Sequence, residues 1–145
     1  MIRRKTDAQN PQDWFDLALE RLRAADVLWI HEQVTASGVE LLQEGVERLL
    51  KGYLIAHGWK LVKTHDLSML LTEAAKFDPG LVGFMDLADE LGHDFFAQHY
   101  PGMDMTHVGE NYETLRETAG TLLARVASQL KDRYQFSTSR LDPDK

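Results

Sequence analysis

The chain has 145 residues, of which 43% are hydrophobic and 27% are charged, a balance typical of one soluble globular domain. It contains no cysteine, which excludes disulfides, thiolate metal ligands and cysteine nucleophiles. The net charge of −7 gives no general attraction to phosphate backbones, so strong nucleic-acid binding is not expected. No uncharged apolar run approaches the ~18 residues of a membrane helix, and we expect a cytoplasmic protein with no membrane contact.

The first predicted helix covers about 11–31. Asn10 is a good N-cap, and Pro11 suits the first helical position. Its apolar arc is wide, and such a helix needs more than one packing partner. The arc consists of Trp14, Phe15, Leu17, Ala18, Leu19, Leu22, Ala25, Leu28 and Trp29. Arg21 lies inside this arc, as a snorkelling residue or one paired with an acidic side chain on the second helix.

The second helix is predicted over 38–57. Ser37 and Glu40 form a capping-box pattern at its start, and Gly58 is a good C-terminal stop. Its apolar residues fall on one arc of a 3.6-residue helix. A second, polar stripe runs along the same helix and consists of Glu40, Glu44, Glu47 and Lys51.

Three further helices follow in the second half of the chain. The third is predicted over 65–77, capped by Thr64, the fourth over 81–99 and the fifth over 109–133. The fourth has a core arc of Phe84, Ala88, Leu91 and Phe95. The fifth has an apolar stripe of Tyr112, Leu115, Ala119, Leu122, Leu123, Val126 and Leu130.

These elements predict an all-α fold, an up-and-down bundle of about five antiparallel helices. The bundle is expected to occupy residues 11–134. The polar segments 1–10 and 135–145 lack periodicity and are predicted to be mobile tails. The segment 100–108 is the longest predicted link inside the domain, and links of this length often carry function.

Two acid–base pairs on the second helix have the i,i+4 spacing, Glu44 with Arg48 and Glu47 with Lys51. The simpler interpretation is a solvated helix face with ion pairs of small energy. In the functional interpretation they form a charged rim, where a nucleotide phosphate meets Arg48 or Lys51.

Two histidines also admit two interpretations. His65, next to Asp66 at the start of the third helix, packs or hydrogen-bonds locally, or it enters a cleft beside the second helix as a proton carrier or ligand contact. Tyr100 precedes Pro101 and therefore ends the fourth helix. His99 and Tyr100 are either a helix stop with an aromatic anchor or a second wall of the same cleft.

The pair Glu90 and His93 has the spacing used in di-iron helical bundles. Such a site needs a second Glu-x-x-His, which the sequence lacks. The neighbouring acidic residues lie opposite the apolar arc of the fourth helix, which favours a surface cluster. We therefore predict no metal site and no other cofactor.

Three short motifs, in this order and spacing, resemble the HEPN family of small helical-bundle proteins found beside nucleotidyltransferases. They are Glu47-x-x-x-Lys51, Thr64-His65-Asp66-Leu67 and His99-Tyr100-Pro101-Gly102. The resemblance covers about residues 12–130. Many members read Arg-Tyr-Pro-Asp at the third motif, and a neutral His99 would not grip phosphate in the bidentate fork that arginine provides.

The resemblance implies an accessory protein that binds a nucleotide or substrate and works with a separately encoded minimal nucleotidyltransferase. The implied ligand-binding residues are Glu47, Arg48, Lys51, His65, His99 and Tyr100. The ribonucleolytic branch of the family uses an arginine and a following histidine with four to six residues between them. Here the nearest following histidines come eight residues after Arg23 and nine residues after Arg48, so no catalytic residue is predicted.

Two alternatives remain open at this point. The first is a metal-independent ribonuclease of the HEPN toxin type, and the second is a purely structural, antitoxin-like interaction protein. In each case we expect a homodimer, because the apolar arc of the first helix is too wide for one neighbour and the resemblance points the same way.

Overall fold

The structure is a computed structural model and describes residues 2–136. No strand occurs in this range, so the predicted all-α class is confirmed. A π-helical turn, Leu28–Glu32, extends the first helix, and a 3-10 helix, Pro79–Phe84, leads into the fourth. The five α-helices of this range are α1 (Pro11–Val27), α2 (Ala36–Ala56), α3 (Leu67–Ala74), α4 (Met85–His99) and α5 (Tyr112–Leu130).

The ends of α1 and α2 agree in part with the sequence-based boundaries. The side chain of Asn10 accepts a hydrogen bond from the backbone N–H of Gln12 at 3.1 Å, which confirms it as the N-cap of α1. The capping box predicted at Ser37 is wrong, because α2 begins at Ala36 and its N-cap residue makes no side-chain cap hydrogen bond. Gly58 has a φ of +86° just after α2, a conformation that glycine adopts without strain.

The cap of α3 lies two residues later than predicted. Asp66 is the N-cap, and its carboxylate accepts a hydrogen bond from the N–H of Met69 at 3.1 Å. Thr64 accepts instead from the N–H of Asp66, also at 3.1 Å. The Thr64 hydroxyl therefore shapes the turn that precedes the helix, and the predicted cap at Thr64 is wrong.

Helix α2 lies very close to α1 because two of its glycines, seven residues apart, face that helix. A Cβ atom added to Gly45 would lie 2.7 Å from Cδ2 of Leu22, and one added to Gly52 would lie 2.6 Å from Cε1 of Phe15. Any larger side chain at these positions would push the helices apart. Since Phe15 meets Gly52 and Leu22 meets Gly45, α1 and α2 run in opposite directions.

The core is formed around α2, which contacts the other four α-helices. The predicted stripe of α5 is confirmed, because all seven of its residues are buried. The predicted arc of α4 is correct only in its middle. Ala88 and Leu91 are buried, whereas Phe84 and Phe95 are half-buried, and Leu87 also faces the core.

The apolar arc of α1 is largely covered within one chain. Phe15 and Leu22 are fully buried, so these two members of the arc do not meet a second copy. The ring of Phe15 packs against Tyr134 and Phe136, with centroid distances of 5.6 and 4.6 Å. Residues that follow α5 thus supply the extra packing partner that the wide arc requires, and the homodimer itself stays a prediction.

The N-terminal segment 2–10 is tied to the start of α1. Arg4 donates two hydrogen bonds to the carboxylate of Asp13, one of them at 3.1 Å, and Asp7 donates its backbone N–H at 2.8 Å. Asp13 is buried, and the Arg4 guanidinium lowers the pKa of its carboxyl group. Of the two predicted tails, residues 137–145 lie outside the described range, and tail mobility stays a prediction.

Asp78 joins the link after α3 to α5. Its carboxylate accepts two hydrogen bonds from Arg125, at 2.7 and 2.9 Å, one from Gln129 at 2.6 Å and one from the N–H of Gly80 at 3.2 Å. These donors, Arg125 foremost, lower the pKa of Asp78 to about 2. The carboxylate therefore favours the folded state only while it is ionised.

Replacing Asp78 by asparagine should change the pH dependence of stability. The folded-state pKa of about 2 lies below the ordinary value of 3.8, so the stabilisation is complete above pH 3.8 and is lost as the pH falls toward 2. We expect Asp78→Asn to lower the free energy of unfolding by roughly 1–2 kcal/mol at neutral pH, because solvent screens part of the interaction. Urea unfolding at several pH values should show the two proteins converging in acid. The exposed Asp132→Asn is the control, and a gap that does not change with pH would contradict the assignment.

Replacing Gly52 by alanine should destabilise the bundle, although alanine is the better helix former. The added Cβ would also lie 3.0 Å from Cβ of Trp14, and overpacking of this kind typically costs about 1–3 kcal/mol. Gly92 in α4 is the matched control, since a Cβ there meets nothing within 4 Å. Gly92→Ala should raise the free energy of unfolding by about 0.5–1 kcal/mol. Equal gains for both variants in urea unfolding would show that the two helices are not held at contact distance.

Candidate functional site

One side of α2 carries a continuous row of polar side chains, here called the α2 strip. It lies between α1 on one side and the α3–α4 pair on the other, because its residues have partners on both. Its members are Glu40, Gln43, Glu44, Glu47, Arg48 and Lys51.

Glu47 is the centre of the α2 strip. Its carboxylate contacts Nζ of Lys51 at 3.0 Å and Nδ1 of His65 at 2.7 Å, and it accepts a hydrogen bond from Gln43 at 3.3 Å. Glu47 and Lys51 are each only 5% exposed. Lys51 is covered by Trp14 of α1, whose ring centroid lies 5.7 Å from Nζ, a geometry that adds a cation–π attraction.

The predicted solvated face is therefore wrong for the second of the two pairs. The i,i+4 contact between Glu47 and Lys51 exists, but both side chains are removed from water. A buried ion pair is tolerated only when further hydrogen bonds satisfy its charged groups. His65 and Gln43 provide those hydrogen bonds to Glu47, so the pair is part of the interior as well as of the site.

The other pair stays near the surface and forms a three-membered chain. Oε2 of Glu44 lies 2.9 Å from Nε of Arg21 in α1 and 3.8 Å from Nη1 of Arg48. All three side chains are partly exposed. The acidic partner predicted for Arg21 on the second helix is thus confirmed. Arg48 also donates to the backbone carbonyl of Glu44 at 3.1 Å, which holds its guanidinium along the strip.

Two histidines from outside α2 contact the strip, and both rings pack near Phe95 of α4. Nε2 of His99 lies 2.9 Å from Glu40, just as His65 contacts Glu47. The Phe95 ring centroid is 5.7 Å from that of His65 and 4.1 Å from that of His99. Both histidines therefore bond to glutamates of α2, seven residues apart, while their rings stay exposed.

His65 combines the two interpretations that the sequence left open. It hydrogen-bonds locally through Nδ1 to Glu47, and its backbone carbonyl accepts from Gln43 at 3.3 Å. Its side chain is nevertheless 71% exposed. When Nδ1–H donates to the carboxylate, Nε2 of the neutral ring becomes an acceptor, and Glu47 thus fixes which nitrogen is available to a ligand.

Tyr100 lies apart from the other predicted site residues. Its ring stacks on Phe96 of α4 with centroids 4.1 Å apart, and it is 57% exposed. The structure thus brings Glu47, Lys51 and His65 into direct contact. Arg48 and His99 lie along the same strip, and Tyr100 lies off it.

The largest of the described cavities beside these residues is an open groove of about 460 Å³, here called the α3–α4 groove. It runs between the start of α3 and α4, and α2 contributes nothing to its lining. Only His65 of the predicted ligand-binding residues lines this groove, and the predicted cleft beside the second helix stays a prediction. The lining residues are His65, Asp66, Leu67, Ser68, Ala88, Asp89, Gly92, His93, Phe95 and Phe96.

The acidic residues of α4 have separate partners. Glu90 accepts a hydrogen bond from Asn111 at 2.7 Å, whereas His93 contacts Asp94 at 3.4 Å. Within residues 2–136 no group of three or more histidines and carboxylates is arranged to hold a metal ion. None of the helices in this range is long and apolar enough to cross a membrane.

Sequence reasoning found the glutamates of the strip but missed Gln43, Trp14 and Phe95. The polar stripe at helical spacing was the signal for the glutamates. Gln43 could have been found as the polar residue one turn before Glu47. No sequence signal shows that Trp14 covers Lys51, because that contact depends on how closely α1 approaches α2.

Together, these features define a small all-α domain that carries a charged strip on its central helix. Comparison with known families identifies the domain. The HEPN domain matches residues 11–130, most of the chain, and the protein belongs to the HEPN family. The resemblance drawn from the three motifs is thereby confirmed. No curated protein and no solved structure matches the chain.

Replacing Lys51 by alanine should strongly destabilise the fold. The substitution leaves the buried Glu47 without its permanent counter-charge, a loss that usually costs about 3–5 kcal/mol and here roughly 2–4, since His65 and Gln43 remain. The exposed pair of Lys76 with Glu73, at 2.9 Å, supplies the control, and Lys76→Ala should cost no more than about 0.5 kcal/mol. Urea unfolding measures both, and a loss for Lys51→Ala as small as the control's would mean that water reaches Glu47.

Proposed function

We propose that this HEPN protein is a non-catalytic accessory subunit that binds a nucleotide or substrate for a separately encoded minimal nucleotidyltransferase. We further propose that it acts in the cytoplasm as a homodimer, each copy an up-and-down bundle of antiparallel helices. The observation that carries the proposal is the α2 strip. Along this one helix it brings together permanent cations and, as partners of its glutamates, the exposed His65 and His99. The chain also lacks the arginine-to-histidine spacing of the family's ribonucleases.

The charge balance of the strip fits reversible binding of an anion. Three glutamates, Glu40, Glu44 and Glu47, are balanced by three permanent cations, Arg21, Arg48 and Lys51, which pair with Glu44 and Glu47. A ligand phosphate would replace the Glu44 carboxylate as the partner of a guanidinium, a substitution that keeps a charge-assisted contact and allows a bidentate one.

The phosphate contact is assigned to Arg48 and Arg21. Both are partly exposed and share Glu44, so a phosphate can reach them without unfolding. Lys51 lies beneath Trp14 and already forms an ion pair with Glu47, so we assign it a structural role. His65 and His99 would supply further hydrogen bonds to the same ligand from the opposite side of the strip.

The toxin-type ribonuclease is the second candidate, and one contact favours it. A carboxylate that orients a histidine, as Glu47 orients His65, is the arrangement of many general bases. Against it stands the lack of an arginine at the required spacing to stabilise the charged transition state. Incubating purified protein with RNA in the presence of a chelator separates the two, since only the ribonuclease would cut and lose that activity in His65→Ala.

The proposed partners can be tested without knowing the ligand. Purification from the native cell should recover the transferase together with the protein. Light scattering at tens of micromolar should give twice the mass of one chain, because specific pairs of even micromolar affinity associate there. An antitoxin-like protein would instead co-purify with a toxin and bind no nucleotide.

Replacing Arg48 by alanine should weaken nucleotide binding. We expect a loss of about 1–3 kcal/mol for one charge-assisted contact, with wild-type affinity that falls as sodium chloride rises. Isothermal titration with the four ribonucleoside triphosphates measures the effect. Lys131→Ala, an exposed charge removed outside the strip, is the control and should bind as the wild type does. Wild-type protein that binds none of the four, or an Arg48→Ala variant with unchanged affinity, would contradict the assignment.

A further inference from the structure

The α3–α4 groove has a lining that suits a cation better than a phosphate. Its aromatic wall includes Phe95 and Phe96, and its polar wall includes the exposed carboxylates of Asp66 and Asp89. The described lining residues include no lysine or arginine. Two carboxylates would repel an anionic ligand and attract a guanidinium or an ammonium group.

The two carboxylates are held in place by hydrogen bonds within the chain. Asp66 caps α3 through Oδ1, and Asp89 accepts the hydroxyl of Ser68 through Oδ1 at 2.8 Å. Both side chains are therefore positioned before any ligand arrives. Preorganised groups of this kind reduce the ordering cost of binding.

The apolar wall continues beyond the groove onto the surface. Phe96 lies at the groove and is half exposed, and Tyr100 stacks on it in the next helical turn. Met103 and Met105, in the segment that follows, are also exposed. Neighbouring exposed aromatics mark interaction surfaces, and methionine adapts to varied partners.

Gly92 lines the groove and adds no side chain to it. A Cβ atom built there meets nothing within 4 Å, so the space above this turn of α4 is accessible. The groove is also open to solvent rather than enclosed. Small-molecule sites usually bury most of their ligand, and an open groove with an apolar extension suits a peptide segment better.

We propose that the α3–α4 groove docks a basic segment of a partner protein. A lysine or arginine of that segment lies between Asp66 and Asp89, and a neighbouring aromatic or aliphatic side chain packs on Phe96 and Tyr100. The net charge of −7 steers such a basic segment toward the protein from a distance. The groove shares His65 with the proposed nucleotide site, but Arg48 and Arg21 lie outside the groove, so either assignment can fail alone.

The test is selection of short random peptides, displayed on phage, against the intact protein. Enriched peptides should carry lysine or arginine next to an aromatic or aliphatic residue. Their affinity should fall by about tenfold or more in the double variant Asp66→Asn, Asp89→Asn, because two attractive charges are lost. Asparagine keeps the helix cap and the acceptor for Ser68, so this variant should fold normally.

A second pair of variants tests the location without altering charge. Gly92→Leu fills the groove at a helical position where a side chain has room, and it should abolish binding of the selected peptides. Gly83→Leu, at another glycine whose Cβ would meet nothing within 4 Å, lies outside the groove and should bind as the wild type does. Circular dichroism and urea unfolding of each variant check that the fold is kept.

Three results would overturn the proposal. The first is a selection with no basic and apolar enrichment. The second is enriched peptides that bind equally to the wild type and to the doubly substituted or Gly92→Leu protein. The third is a groove that binds a free polyamine such as spermidine but no peptide, which would make it a small-cation site. Loss of nucleotide binding in Arg48→Ala bears on none of these results.

Discussion

The close contact between α1 and α2 determines most of what this molecule can do. Two helices approach to this distance only where one of them lacks side chains, and Gly45 and Gly52 provide such places on the face that meets α1. The approach brings Trp14 over Lys51 and so converts a helical ion pair of ordinary spacing into an interior one. A wider separation of the helices would leave the same residues in water, where their pairing would contribute little.

Two carboxylates of the α2 strip each hold more than one partner. Glu47 holds a lysine and a histidine, and Glu44 holds two arginines. An incoming anion competes with these carboxylates, so its affinity depends on the difference between two sets of contacts and not on their sum. The exposed contacts of Glu44 are easier to replace by a ligand than the buried contacts of Glu47. Breaking the latter would leave an unpaired charge away from water.

The sequence predicted those features that depend on one helix alone. The apolar stripe of α5 and the cap at Asn10 follow from local periodicity and local hydrogen bonding, and both are confirmed. Periodicity gives the direction in which a side chain leaves the helix axis, but it does not identify the neighbouring residue that covers that side chain. The burial of Lys51 was therefore missed. The cap at Ser37 failed for a different reason, since a favourable pattern competes with other ways of starting a helix.

The anchoring of the N-terminal segment links the outer edge of the molecule to its centre. The indole N–H of Trp14 donates to the carbonyl of Ala8 at 2.9 Å, and the same ring covers Lys51. Local opening of the segment that contains Ala8 would release one restraint on that ring and let solvent approach Glu47. We therefore expect the N-terminal segment and the Glu47–Lys51 pair to become exposed in the same local unfolding event. An affinity tag or fusion joined directly before this segment would therefore disturb the packing of Trp14 over Lys51. A spacer between the tag and the protein would be needed to avoid this disturbance.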